Sequence, residues 1–289
     1  MDFKQEKNIK KVGILVVTFN RLNYLKKYMD TITELHIPSQ VQVKTYVIDN
    51  ASNDGTKEWL DQQSFANSEI YHLSENTGGS GGFSFGVKTA FEDGCDFIWG
   101  MDDDAFPSPN SLEEIFAIKR QLGDNACYWS NCDKDKEFSG PYKLVNKWMF
   151  VGFFIPRNIV KKIGYPCDDY FIFYDDIEYS NRVQKYGYKI YKVRDSYIEH
   201  SDSYSKKIEG HFFKKHIDVP AYPDWKLYYF MRNDLLMYSK TESGYWKNAW
   251  VKHPKFFVKL LVLDKKQFKV AFKGHWDGIT RKRGKVMAP

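Results

Sequence analysis

The 289 residues carry 43 Lys/Arg against 37 Asp/Glu, a formal net charge of +6, with 43% hydrophobic and 28% charged residues. That length supports one large core with room for an appendage, and that balance excludes a disordered or fibrous chain. Aromatic residues make up 17%, an excess that serves cores, sugar-stacking platforms and membrane interfaces alike and so selects none of them.

In chain order, VGILVVTF (Val12 to Phe19) is a short apolar run rich in β-branched residues, as expected of a strand buried on both faces. NRLNYLKKYMDTITEL follows, with Leu22, Leu25, Met29 and Ile32 at helical spacing. VQVKTYVID (Val41 to Asp49) reads as a second strand, NASNDGT as turn chemistry and TKEWLDQQ as the start of a second helix. EIYHLSEN is a third strand; GGFSFGVKTAFEDG opens on glycines and continues as a helix; CDFIWGMDDD is a fourth strand ending in three carboxylates. SPNSLEEIFAIKRQL is a helix capped by Ser108 or Asn110, with Glu113 and Glu114 in its first turn.

This alternation implies an α/β fold built on a mostly parallel sheet, in which ligands bind outside the carboxyl ends of the strands. Beyond Leu122 the pattern shifts to shorter aromatic-rich strands, KWMFVGFFIP (Lys147 to Pro156) and YKIYKV (Tyr188 to Val193). His200 to Asp224 reads as a long polar loop, and WKLYYFMRNDLLMYSK as a helix.

Charge is uneven. Lys240 to Pro289 holds 13 Lys/Arg and 3 Asp/Glu, a surplus of 10 in a chain whose total is +6, so the remainder is net acidic. A basic segment of this kind wants an anionic partner. Cys95, Cys127, Cys132 and Cys167 show no CxxC spacing and read as reduced thiols of a cytosolic protein. The charged start MDFKQEKNIKK has no apolar signal core, and no run approaches a spanning helix.

The acidic clusters are where chemistry is expected. In an extended segment alternate side chains share a face, so Asp102 and Asp104 point together and Asp103 away. Two carboxylates aimed together make a seat for Mg²⁺ or Mn²⁺; the competing reading is an acidic turn ahead of a helix. NTGGSGGF (Asn76 to Phe83) could hold phosphate at a helix start, or be a plain turn. Two familiar phosphate motifs fail there: Ser84 breaks GxGxxG, and Val87 separates Gly86 from Lys88 in the P-loop pattern. Asp175 and Asp176 stand ahead of a helix as candidate general base or as caps. His200 ends an apparent strand and is a candidate metal ligand or an idle surface histidine.

Taken in order, VTFNR, VIDNASNDGT and the DxD of Asp102 and Asp104 resemble the inverting family 2 glycosyltransferases, which have the GT-A fold. With NTGGSGGF, the DDD triplet, YDDIEY, the downstream histidine and WKLYYFMRNDLL, the set is most similar to galactofuranosyltransferases that use UDP-galactofuranose. That resemblance implies a metal held by Asp102, Asp104 and His200. It implies Asp176 as catalytic base, with Asp175 in support. Asp49 would contact the uracil, and Thr18, Phe19, Asn20 and Arg21 would line the nucleotide and sugar pocket. Asn76, Gly79 and Gly81 would approach the donor. Asp103 would contact the donor sugar or hold the turn, and Arg232 would reach the diphosphate or support the His200 loop. Trp148 and Tyr174 would wall the acceptor site.

The implied organisation is a glycosyltransferase domain over residues 1–240, with a nucleotide-binding part at about 10–122 and an acceptor and catalytic part at about 123–240. A basic, aromatic helical region follows over 241–289, suited to a membrane surface, to packing on the body or to a contact in a homo-oligomer. The implied partners are a UDP-sugar donor and a glycan or glycolipid acceptor in cell-surface polysaccharide synthesis, at the inner face of the plasma membrane. A rhamnosyltransferase using dTDP-L-rhamnose shares TFNR and DNASNDGT. A nucleic-acid-binding protein would leave the carboxylate clusters unexplained, because they repel phosphates.

Overall fold

A computed structural model of the chain describes residues 9–132, 138–200 and 206–289. These divide into two compact units, one made of 9–166 with 176–200, the other of 167–175 with 206–289.

The first unit runs β1 (Lys10–Thr18), α1 (Leu22–Thr33), β2 (Val41–Asp49), α2 (Thr56–Asp61), β3 (Ser68–His72), α3 (Gly78–Glu92), β4 (Phe97–Asp102), β5 (Ala105–Pro107), α4 (Ser111–Leu122), β6 (Ala126–Asn131), β7 (Tyr142–Val145), β8 (Phe153–Pro156), α5 (Arg157–Ile163), α6 (Asp175–Lys185) and β9 (Lys189–His200). Its sheet has the order β3-β2-β1-β4-β8-β6-β9-β5, with β7 beside β9. β3, β2, β1 and β4 are all parallel, and β8 joins β4 antiparallel. The first strand shows why. Val12, Ile14 and Val16 feed the core on one face of the sheet, and Leu15 and Val17 the core on the other. A strand apolar on both sides needs cover on both sides, which helical crossovers supply.

The expected strand over Lys147–Pro156 forms only at Phe153–Pro156. Its first half turns through Gly152 at φ +77°, a backbone region that favours glycine. The strand β6 was missed by sequence reasoning, although Gly123, Asp124 and Asn125 mark the turn before it. Asn110 takes the cap position of α4, without a side-chain cap bond.

The second unit contains β10 (Lys207–Phe212), β11 (Lys215–Pro220), α7 (Asp224–Leu236), α8 (Ser243–Lys247), α9 (His253–Leu263) and α10 (Lys265–Ile279). The polar stretch expected as a loop forms, over Lys207–Pro220, the antiparallel hairpin β10–β11; residues 201–205 of that stretch lie outside the described residues. The division also differs from the one expected at 240/241. Helix α7 packs on α10 so closely that a Cβ at Gly274 would meet the Tyr228 carbonyl oxygen at 2.4 Å, and one at Gly278 the Arg232 carbonyl oxygen at 2.9 Å. The basic C-terminal helices therefore form a core with α7.

Candidate active site

The parallel strands β1, β2, β3 and β4 end at Thr18, Asp49, His72 and Asp102. The register pairs Thr18 with Asp49, Asp49 with His72, and Val17 with Asp102. Polar groups from four strand ends thus share the edge where a ligand is expected.

Past Asp102 the chain makes a tight turn through Asp103 and Asp104 into β5. That short strand pairs antiparallel with β9, setting Ala105 opposite His200. The pairing delivers the histidine to the acidic turn: His200 Nε2 lies 3.3 Å from Asp104 Oδ1. One ligand atom each from Asp102, Asp104 and His200 all fall within 4.8 Å of one another. Two carboxylates and an imidazole suit a hard to borderline divalent cation such as Mg²⁺ or Mn²⁺.

The electrostatics point the same way. Burial, then the carboxylates of Asp104 and Asp103, push Asp102 well above the usual carboxylate range. The bond to Asp104 raises His200. A cation among these groups would relieve that repulsion. Arg21 offsets part of it, with Nη1 at 2.7 Å from Asp104 and 3.2 Å from Asp103. Asp103 is turned the other way: its Oδ2 accepts the Thr18 hydroxyl at 2.6 Å. Burial pushes Asp103 up to about 6, against the bonds from Thr18 and Arg21. It is 2% exposed and braces β1 against the acidic turn, which favours the turn-holding alternative for this residue. Phe19 is half-buried and Asn20 exposed; Asn20 Oδ1 accepts the Asn53 N–H at 2.7 Å.

Asp49 is buried, and both its oxygens have protein partners: the Ser52 N–H at 2.9 Å and His72 Nδ1 at 2.7 Å. His72 was not singled out from the sequence; only the β2–β3 register reveals it. Nor was Asn50. Its amide donates to the Gly78 carbonyl at 2.9 Å while its Oδ1 accepts the Thr77 N–H, also at 2.9 Å. Asn50 thereby latches the glycine-rich turn and Asn76 to the end of β2.

The glycines divide in purpose. A Cβ at Gly82 would lie 2.5 Å from Val17 Cγ1, and at Gly86 2.2 Å from Leu15 Cδ1, so these two let α3 press on β1. A Cβ at Gly81 would meet Thr77 at 2.4 Å, whereas one at Gly79 meets nothing within 4 Å. Of the two glycines expected to approach the donor, Gly79 faces open space and Gly81 is crowded by Thr77; Gly82 and Gly86 serve packing on β1.

Asp176 opens the first unit's share of α6. Its Oδ1 accepts the Ile177 N–H at 2.7 Å, and burial pushes its carboxyl up to about 6. Asp175, the first residue of α6, is buried. Trp148 is 1% exposed, packed among Phe153 and Tyr179, and offers no face to an acceptor; the expectation for it is corrected to core packing.

In the second unit Tyr174 is half-buried, its ring 5.9 Å from that of Phe230. Arg232 is fully buried, donating to the carbonyls of Gly284, Asp169 and Tyr170. It holds those backbone segments together, whereas a diphosphate contact or support of the His200 loop was expected. The helix DWKLYYFMRNDLL buries most of its residues, and an arginine buried there must find partners.

The sequence profile of Glycosyl transferase family 2 matches residues 13–179, more than half the chain. The chain belongs to glycosyl transferase family 2. A search of curated protein sequences finds no match for this glycosyltransferase. Among solved structures, it is similar to the mannosyltransferase PcManGT from Pyrobaculum calidifontis, in complex with GDP-Man and Mn²⁺, at 13% identity and TM-score 0.59, covering 95% of this chain and 88% of that one. It is similar to S. aureus TarS 1-349 at 13% identity and TM-score 0.57, covering 93% and 81%. It is similar to GalNAc-T7 with UDP, GalNAc and Mn²⁺ at 14% identity and TM-score 0.56, over 69% of this chain. This glycosyltransferase spans about half the length of the GalNAc-T7 chain, 47%. These likenesses show the GT-A-like α/β fold with C-terminal helices. Among the described residues, no helix of this glycosyltransferase is long and apolar enough to cross a membrane.

Proposed function

We propose that this enzyme moves galactofuranose from UDP-galactofuranose to a hydroxyl of a lipid-linked glycan, inverting the anomeric centre, in bacterial cell-surface polysaccharide synthesis at the inner face of the plasma membrane. The observation that carries the reading is the convergence of Asp102, Asp104 and His200 at the carboxyl ends of the parallel strands. The furanose donor rests on the ordered motif set from NTGGSGGF through YDDIEY to His200.

Asp102, Asp104 and His200 would hold Mn²⁺ or Mg²⁺, which when bound supplies positive charge against the diphosphate. The relatives with Mn²⁺ bound, PcManGT and GalNAc-T7, are consistent with this choice. Asp176, raised to about 6, is ionised at neutral pH yet basic enough to take a proton. It removes the acceptor hydroxyl proton as that oxygen bonds to the anomeric carbon. The bond from that carbon to the phosphate oxygen breaks, and its electron pair leaves with UDP. The latch of Asn50 on the Asn76–Gly78 turn keeps the open face at Gly79 in place for the donor.

The test is a donor screen in Mn²⁺ or Mg²⁺ with UDP-galactofuranose, UDP-galactopyranose, UDP-glucose and dTDP-L-rhamnose. UDP release with the furanose donor alone supports the reading; turnover of dTDP-L-rhamnose instead would establish the rhamnosyltransferase alternative that TFNR and DNASNDGT allow.

A further inference from the structure

Helix α8, a π turn at Asn248–Lys252 and α9 follow one another without a break from Ser243 to Leu263. One stripe of this helical run, Tyr245, Ala249, His253 and Leu260, is buried. The opposite stripe should be polar if water were its only neighbour. It instead carries Trp246 at 51% exposure, Trp250 at 63%, Val258 at 49% and Leu261 at 44%. α10 repeats the arrangement. Ala271, Gly274 and Gly278 are buried, while Phe272 at 48% and Trp276 at 56% face out. The two helices run antiparallel, with the His253 ring 5.0 Å from His275 and Phe257 5.6 Å from Phe268. Trp276 therefore lies at the end of the hairpin that carries Trp250.

The charges on this surface choose its occupant. From Ser243 to Ile279 the chain has eight lysines and two acids, Asp264 and Asp277. Neither acid offsets the lysines on the outward stripes. Asp264 caps α10 by accepting the Lys266 N–H at 3.0 Å, and Asp277 accepts the Tyr228 hydroxyl at 2.6 Å. Lys247, Lys255, Lys269 and Lys273 are exposed between the outward apolar residues. Tryptophans with lysines beside them match a bilayer interface, where rings sit at headgroup depth and ammonium groups meet anionic phosphates. A symmetric contact with a second copy would set lysine against lysine.

We propose that the outward stripes of the α8–α9 run and of α10 dock this unit on an anionic lipid surface, with Trp250 and Trp276 as apolar anchors. The proposal deepens the lipid-linked acceptor of the reading above and rests on that reading for its purpose, but vesicle binding is measured apart from transfer.

The experiment is flotation of the full chain with phosphatidylcholine vesicles, with and without phosphatidylglycerol, beside light scattering for mass and solution UDP release. Binding is expected to the anionic vesicles, weakened by salt, and absent from the neutral ones. The Trp250→Ser, Trp276→Ser double variant should lose about tenfold or more in partitioning, with UDP release in solution unchanged. Lys269→Gln with Lys273→Gln should lower binding and flatten its salt dependence. A wild type that floats with neither vesicle overturns the proposal, as does equal binding to both. A dimer that the tryptophan variant dissociates overturns it too, by assigning the face to a second copy. An enzyme that binds anionic vesicles yet takes another donor refutes the donor reading and leaves the docking surface standing.

Discussion

The Asn233 side-chain amide donates to the Tyr170 carbonyl at 2.8 Å, deep inside the second unit. The same amide reaches the carbonyls of Ile172 at 2.7 Å and Phe173 at 3.1 Å. The segment it grips is strained: Phe171, Phe173 and Tyr174 have φ of 67°, 66° and 69°, a region that bulky residues avoid. Such a backbone persists only where its surroundings fix it, and this one leads directly into Asp175 and Asp176. Asn233→Ala removes the bonds to the Ile172 and Phe173 carbonyls and one of those to Tyr170, which Arg232 also holds, and should cost about 2–3 kcal/mol at roughly 1 kcal/mol per lost bond. Chemical denaturation measures this, and an unchanged midpoint would show that the strained segment holds itself.

If Asp176 is the base, the rate must follow its ionisation. Its carboxyl sits at about 6 because burial disfavours the charge, well above the ordinary aspartate value near 3.9. The active form is deprotonated, so kcat/KM should be flat above neutrality and fall roughly tenfold per pH unit below about 6. Asp176→Asn should lose at least about a hundredfold in transfer while UDP binding persists. An acid limb near 4 in the wild-type profile would assign the proton to a different group.

Removal of divalent cations should abolish turnover, and Mn²⁺ should restore it. Asp104→Ala and His200→Ala each take one ligand from the cluster, and should raise the Mn²⁺ concentration for half activity by about tenfold or more. Full activity in EDTA would remove the metal from the scheme.

Much of this was legible in the sequence, for physical reasons that can be named. Runs such as VGILVVTF could be assigned because a parallel strand buried on both faces has no polar positions to confuse it. The acidic turn stood out because a run of carboxylates after such a strand needs a cause. The grouping of His200 with that turn depends on β5, three residues long, whose pairing with β9 no periodicity reveals. The hairpin β10–β11 hid because its strands are short and half of their positions are exposed, which leaves only a brief apolar alternation. Arg232 and Trp148 misled for a shared reason: residue type suggests a ligand contact, while burial, which decides, is set by neighbours far away in the chain.

The glycine-rich opening of α3 separates packing from ligand access in a way two substitutions can test. At Gly82 an added methyl would strike Val17, a stiff β-branched side chain on the strand beneath, at 2.5 Å. Gly82→Ala should therefore destabilise by about 1–3 kcal/mol through overpacking, read as a lower thermal midpoint without donor. At Gly79 the methyl meets nothing within 4 Å, and alanine favours a helix over glycine by about 1 kcal/mol. Gly79→Ala should leave the midpoint unchanged or slightly raised. If this open face receives the donor, the same substitution should raise KM for the nucleotide sugar. A neutral midpoint with unaltered KM would turn the donor away from Gly79 and leave the glycines as helix-packing residues alone.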